Sequence, residues 1–350
     1  MIVHRLAAIA AVAAALAATP VLAASFDCGK AATPFEHAIC DMPELSAADE
    51  ILAKAFATAT GGLTKETVVL MRGDQRNWLD YAQTACNDGV APLTSGSYDE
   101  AGGSCLLEKF QARSRALEQS RMLGGHRFFL KSVYGALPDP MEADNPDSYW
   151  KVANHDLVLP QLDSDDALAE SFNAFVTEQG ANLSSLMEAS GGGEVTDLDP
   201  SSDTSVTVAV NEVAGSSRIT LAANTYWYGH GAAHGNWGIS YLHYLVAEER
   251  ALVASDVFAG DGWEVTLRDA AWAQLQAEHA EWLQVEKAED IAAAVIDPTR
   301  WNFEDSYGLV IQFEPYEVSA YAYGAPTITI AWEQLDAIKA EGQDAVRYGY

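Results

Sequence analysis

Two histidines four residues apart, His230 and His234 in the stretch GHGAAHG, stand at the spacing by which one face of a helix presents two zinc ligands, and His243 follows as a candidate third. Zinc-assisted hydrolysis needs rigidly held ligands and a carboxylate base beside the bound water. The helical H-E-x-x-H motif carries that base immediately after its first histidine, where this chain has Gly231. Gly229, Gly231 and Gly235 also oppose the helix that would bring both histidines onto one face. The stretch therefore predicts a glycine-shaped turn between strands, with its histidines hydrogen-bonded to backbone or neighbouring side chains. A metal-dependent hydrolase using His230 and His234 is the weakest of the functions considered. No G-x-S-x-G and no glycine-rich phosphate loop is present, so no catalytic residue, metal or cofactor is expected and the chain reads as a non-enzyme.

Cys28, Cys40, Cys86 and Cys105 are the other reactive side chains, all in the first third of the 350 residues. Their spacings contain no C-x2-C pair, which disfavours zinc, and an even, clustered set in an exported chain predicts two disulfides. Three connectivities are open, and Cys28–Cys40 with Cys86–Cys105 is preferred because each closes a local loop.

Export follows from the first 23 residues, MIVHRLAAIAAVAAALAATPVLA: an early arginine, an apolar run from Leu6 to Thr19, Pro20, then small residues fitting a cleavage site. The run is shorter than the roughly 20 residues a membrane span requires. Residues 1–23 are expected to be a removed signal peptide, with the remainder soluble and periplasmic or secreted. Loss of Arg5 takes the basic side chains from 20 to 19 against 50 acidic ones, a formal charge of −31. Such a field repels nucleic acid and anionic membrane and speeds encounter with a basic protein.

Periodicity divides the remainder in two. Ser46 to Asp49 resembles a capping box ahead of Ile51, Ala55 and Phe56, a second helix runs from Thr64 to Tyr81, and a third from Cys105 to Leu117. A loop from Asn87 to Gly103 separates the last two, and its Tyr98, Asp99 and Glu100 are candidate partner contacts. After Gly124 and Gly125 an amphipathic helix contains Leu168, Phe172, Phe175 and Val176, and the glycines 191–193 end that region as a flexible loop. Strand-like runs follow at 205–210, 218–221, 238–246, 309–313 and 327–330, with a helix rich in Trp272, Leu275, Trp282 and Leu283 between them. The expected fold is a small disulfide-linked all-α domain over residues 24–120, followed by an α+β domain with an antiparallel sheet over 121–350.

The runs Phe26-Asp27-Cys28-Gly29-Lys30, Glu36-His37-Ala38-Ile39-Cys40 and Gln75-Arg76-Asn77-Trp78-Leu79, with Cys86 and Cys105, resemble the LprI-type lysozyme-inhibitor family over about residues 25 to 120. That resemblance implies a small, helical, disulfide-linked, exported domain that inhibits lysozyme. The second half resembles the extracellular module of RsiV-type anti-sigma factors, shared with some peptidoglycan deacetylases outside their catalytic part. It does so through Tyr228 to Gly235, Ser255-Asp256-Val257-Phe258, and the run from Tyr307 to Gly324. RsiV senses lysozyme by binding it, so both resemblances lead to the same partner. Beyond the leader no membrane segment or sigma-binding part is recognisable, so signalling across a membrane is not implied.

The combined expectation is an exported, acidic protein that binds lysozyme, most naturally the basic animal type, and occludes its cleft without chemistry of its own. Contacts are expected among Tyr98, Asp99, Glu100, His230, His234, Tyr316, Tyr321 and Tyr323. The alternative is a peptidoglycan or glycan-binding envelope module, suggested by the nine tryptophans, most of them in the second half.

Overall fold

The computed structural model describes residues 24–142, 145, 147–189 and 198–349. The expected signal peptide and the glycines 191–193 lie outside the described residues.

Four helices open the described chain. Pro at the first position and a capping box between Thr33 and Glu36 start α1 (Pro34–Asp41). Helix α2 (Pro43–Thr60) begins at its own proline, so Ser46 and Asp49 lie inside it, and Asp49 accepts the Ser25 N–H at 2.7 Å. Thr64, where the second helix is expected to begin, caps α3 (Lys65–Ala85), which runs four residues past the expected Tyr81. Helix α4 (Glu100–Leu117) begins ahead of the expected Cys105, because the Asp99 carboxylate accepts the Gly102 N–H and supplies an earlier start. Disulfides join Cys28 to Cys40 and Cys86 to Cys105, with Cα–Cα distances of 5.7 and 5.5 Å.

These helices do not close a core alone. Met71, Trp78, Leu106 and Phe110 pack in one cluster with Phe129, Leu130 and Val158 of the following sheet. Arg113, buried on α4, donates to Asp74 and Gln75 of α3 and reaches Ser132 and Tyr134 of the sheet at 3.1 and 3.0 Å. Asp163 in turn accepts from Thr64 and Thr67.

The sheet runs β1 (Met122–Leu123), β2 (His126–Pro138), β3 (Val152–Leu162), then the crossover helices α5 (Ala167–Leu183) and α6 (Leu186–Ala189). It continues through β4 (Ser202–Ala214), β5 (Arg218–Gly229), β6 (Asn236–Leu245) and β7 (Arg250–Ala251). The seven strands lie in chain order. The expected antiparallel sheet is corrected here to a mixed one, since β3 and β4 pair parallel from His155↔Thr204 to Val158↔Thr207. Strands β2 and β3 are missing from the sequence-based expectation; in β3 the stretch from Leu157 to Leu162 is buried on both faces and shows no alternation. Parallel neighbours cannot be joined by a tight hairpin and need a crossover, which α5 and α6 supply between β3 and β4. Phe172, Phe175 and Val176 of α5 cover Leu157, Leu159, Val206, Val208 and Leu221.

The C-terminal part holds α7 (Trp263–His279), α8 (Ala292–Ile296), the three-stranded sheet β8 (Trp301–Asn302), β9 (Gly308–Gln312) and β10 (Thr327–Ala331), and α9 (Gln343–Tyr348). Its core gathers Phe258, Leu267, Leu275, Trp301, Phe313 and Ile330.

A buried polar relay ties this part to the large sheet. Arg218, fully buried, donates to the Val346 carbonyl, to Glu212 and to the Thr220 hydroxyl. Thr220 meets His243 Nδ1 at 2.9 Å, and His243 Nε2 lies 3.0 Å from the Trp301 carbonyl. Only the tautomer protonated at Nε2 satisfies both ends. Burial, with Arg218 nearby, lowers the His243 pKa from 6.5 to about 3. The folded state therefore excludes a proton that the unfolded chain takes up below pH 6.5. Stability from this group is complete above that pH and drains as the pH falls towards 3, by an amount of order a few kcal/mol. A His243→Gln variant should flatten that part of the stability curve in urea melts at constant ionic strength. Parallel curves for the two proteins would refute the assignment.

Candidate functional site

Strands β5 and β6 form a hairpin whose last mutual pair is Trp227↔Asn236, and GHGAAHG closes it. Gly231 takes φ +78°, a conformation that a residue with a Cβ rarely adopts, and Tyr228 donates to the Ala232 carbonyl at 3.1 Å. The two histidines of this turn face different neighbourhoods. His230 meets Asp139, at the end of β2, through Nδ1 at 2.6 Å, with both side chains almost fully buried, and its Nε2 lies 3.5 Å from Asp203 of β4. His155 packs near this group, holding the Thr204 hydroxyl at 2.7 Å, and burial lowers its pKa. His234 instead points to the segment after β9. His243 belongs to the buried relay, so the three histidines proposed as ligands do not converge. Among the described residues no group of three or more His, Cys, Asp or Glu side chains is arranged to hold a metal ion.

Around His234 the distant tyrosines assemble into a platform. Tyr321 stacks on the imidazole with centroids 4.2 Å apart, and Tyr316 lies 5.2 Å from Tyr321. His234 Nδ1 faces the Gly235 carbonyl at 2.9 Å, which makes it the donor and leaves Nε2 to accept from the Tyr316 hydroxyl at 3.1 Å. Tyr321 donates to the same Gly235 carbonyl at 2.8 Å. Tyr316 is 55% exposed and holds φ at +70°, a region that costs a non-glycine residue roughly 1–3 kcal/mol. Tyr323 sits further along, stacked on Trp282 at 4.8 Å and 54% exposed. Tyr226, half exposed, extends the aromatic surface along β5.

Beside the hairpin lies a cleft of about 330 Å³, lined by Leu183 at the end of α5 and Ser184 after it, Thr204 and Val206 of β4, Thr225, Tyr226 and Trp227 of β5, Asn236 of β6, and Glu314. Gly238 lines it too, and a Cβ there would fall 2.6 Å from Glu314 Oε2, so the glycine lets the carboxylate lie against the strand. Burial raises the Glu314 pKa, opposed by Arg300 at 3.2 Å and reinforced by Glu317.

The other expected contacts lie elsewhere. Asp99 is spent on capping α4, Glu100 is that helix's first residue, and Tyr98 reaches the Gln83 carbonyl at 3.4 Å while packing on the helical core. Tyr98 and Asp99 line a separate cavity of about 490 Å³ with Cys86, Cys105, Tyr149 and Lys151. Glu314, Asp139 and Asp203 were not singled out from the sequence; each is one acid among 50, and no spacing marks it.

Residues 255–333 match the DUF3298 family model, described as a protein of unknown function. The matched stretch contains α7, the small sheet, Glu314, Tyr316, Tyr321 and Tyr323, and excludes the β5–β6 hairpin. No curated protein matches the chain. Among solved structures, a DUF3298-family member from Bacteroides fragilis NCTC 9343 is 17% identical, covering 64% of this chain and 97% of its own with a TM-score of 0.44. A DUF3298-family protein from Pseudomonas aeruginosa PAO1 is 14% identical, covering 61% and 95%, with a TM-score of 0.42.

Proposed function

We propose that this is an exported, non-enzymatic binding protein that captures lysozyme of the basic animal type and inhibits it by covering the sugar cleft, acting in the periplasm or outside the cell. In this proposal the four-cysteine helices are LprI-like and the remainder RsiV-like, with the platform around His234 as the docking surface. The observation that carries it is Tyr316: an exposed aromatic side chain held at positive φ and clamped to His234. Backbone strain of this kind persists where a surrounding structure enforces it, and it concentrates at binding sites. Exposed tyrosines give large, rigid contact area at low entropic cost, and they are enriched at interface centres. The excess of 50 acidic over 20 basic side chains adds long-range attraction for a cationic partner.

Titration of the leader-free protein into an animal-type lysozyme digesting cell walls, with a parallel binding measurement, tests the proposal. Inhibition at micromolar concentration or below is expected, weakening as salt rises. A Tyr316→Gly variant should lose affinity about thirtyfold, the ~2 kcal/mol of an interface hot spot. Its thermal stability should hold, because glycine relieves the positive φ. Absence of binding and inhibition at low salt would sink the proposal, and full affinity in Tyr316→Gly would remove the platform from it.

A further inference from the structure

The cleft between the end of α5 and the hairpin has a chemistry that the lysozyme proposal does not use. Its residues offer hydroxyls from Ser184, Thr204 and Thr225, the Asn236 amide, the Glu314 carboxyl and the Trp227 ring, which is 47% exposed. Glu314 is the only carboxylate among the lining residues, which also include the Tyr226 phenol, and it lies 3.2 Å from Arg300, a partner it shares with Glu317. An anionic ligand such as a phosphate finds no unpaired cation there. A cationic ligand gains little, because the carboxylate already lies against Arg300 and burial raises its pKa. What remains is a partly apolar, partly hydrogen-bonding wall whose only carboxylate is already paired. Such a wall suits a ligand with an apolar face and a rim of hydroxyls. The volume lies at the small end of ligand pockets, roughly 300–1,000 Å³.

We propose that this cleft binds an uncharged saccharide, with the Trp227 indole as the surface for the C–H face of a sugar ring and Thr225, Asn236 and Glu314 as its hydrogen-bonding groups. The site would seat the end of a short oligosaccharide beside the tyrosine platform, which it meets at Tyr226. It does not depend on lysozyme binding, and either activity can be lost while the other is kept.

Ligand-observed saturation-transfer NMR on the leader-free full chain, with tri-N-acetylchitotriose and cellotriose as probes, tests this directly. Saturable transfer to at least one of them is expected, with a dissociation constant in the roughly millimolar range. Trp227→Ala and Asn236→Leu, both at exposed positions, should each weaken it at least about tenfold while circular dichroism and lysozyme binding stay unchanged. No transfer to either sugar, or unaltered transfer in both variants, would overturn the assignment. Displacement of the sugar by equimolar triarginine would overturn the uncharged character of the ligand.

Discussion

Replacing Arg218 with methionine is expected to destabilise the fold by about 3 kcal/mol, the lower end of the cost of removing one partner from a buried charged pair. The guanidinium is fully buried and lies 4.7 Å from the Phe303 ring centroid. It satisfies the Glu212 carboxylate at 2.8 Å and the Val346 carbonyl at 2.8 Å, besides the Thr220 hydroxyl. Methionine fills much of the volume and satisfies none of these. The lower end applies because the Glu212 side chain retains 25% exposure and can turn towards water. The Arg218→Met, Glu212→Gln double variant removes the stranded charge and should recover part of the loss. Urea denaturation of both variants measures it, and a single-variant loss below about 1 kcal/mol would mean that the relay is not structural.

Removing either disulfide should cost about as much as the Arg218 substitution, for a different reason. The Cys28–Cys40 and Cys86–Cys105 bonds span 12 and 19 residues. Closing loops of that length lowers the entropy of the unfolded chain by the equivalent of about 3 kcal/mol each. The helices they staple have a core that is complete only with Phe129, Leu130 and Val158 of the sheet, so loosening them also exposes one face of β2 and β3. Paired Cys→Ala substitutions, made one disulfide at a time, should each lower the unfolding free energy by that amount, and both together by about 6 kcal/mol. Equal stability of oxidised and doubly substituted protein in urea would show that the sheet, not the covalent bonds, holds the helices.

Local features of this kind are readable from a chain because their cause lies within a few residues. Thr64 ahead of an amphipathic run predicts the start of α3, and the glycines of GHGAAHG predict a turn where one is found. The cysteine spacings favour the pairing observed, since each bond closes a short loop. Where a neighbouring residue outcompetes the obvious signal, the boundary moves: Pro43 starts α2 ahead of Ser46, and Asp99 starts α4 ahead of Cys105.

The candidate sites depend on partners far apart in sequence. His230 finds Asp139 91 residues away, and His234 finds Tyr316 82 residues away, so histidines four apart enter unrelated surroundings. Their spacing alone says nothing about that, because in an extended hairpin the direction of each ring depends on which segments pack beside the turn. The parallel join of β3 to β4, the Arg218 relay and the seating of Glu314 against Gly238 are likewise decided only when the sheet is assembled. From its own order of residues the chain determined its helix caps, its turn glycines and its short covalent loops, whose energies are settled within a few neighbouring residues. Tertiary structure alone decided which acids and aromatics share a surface, because burial and strand pairing, not spacing, choose those neighbours.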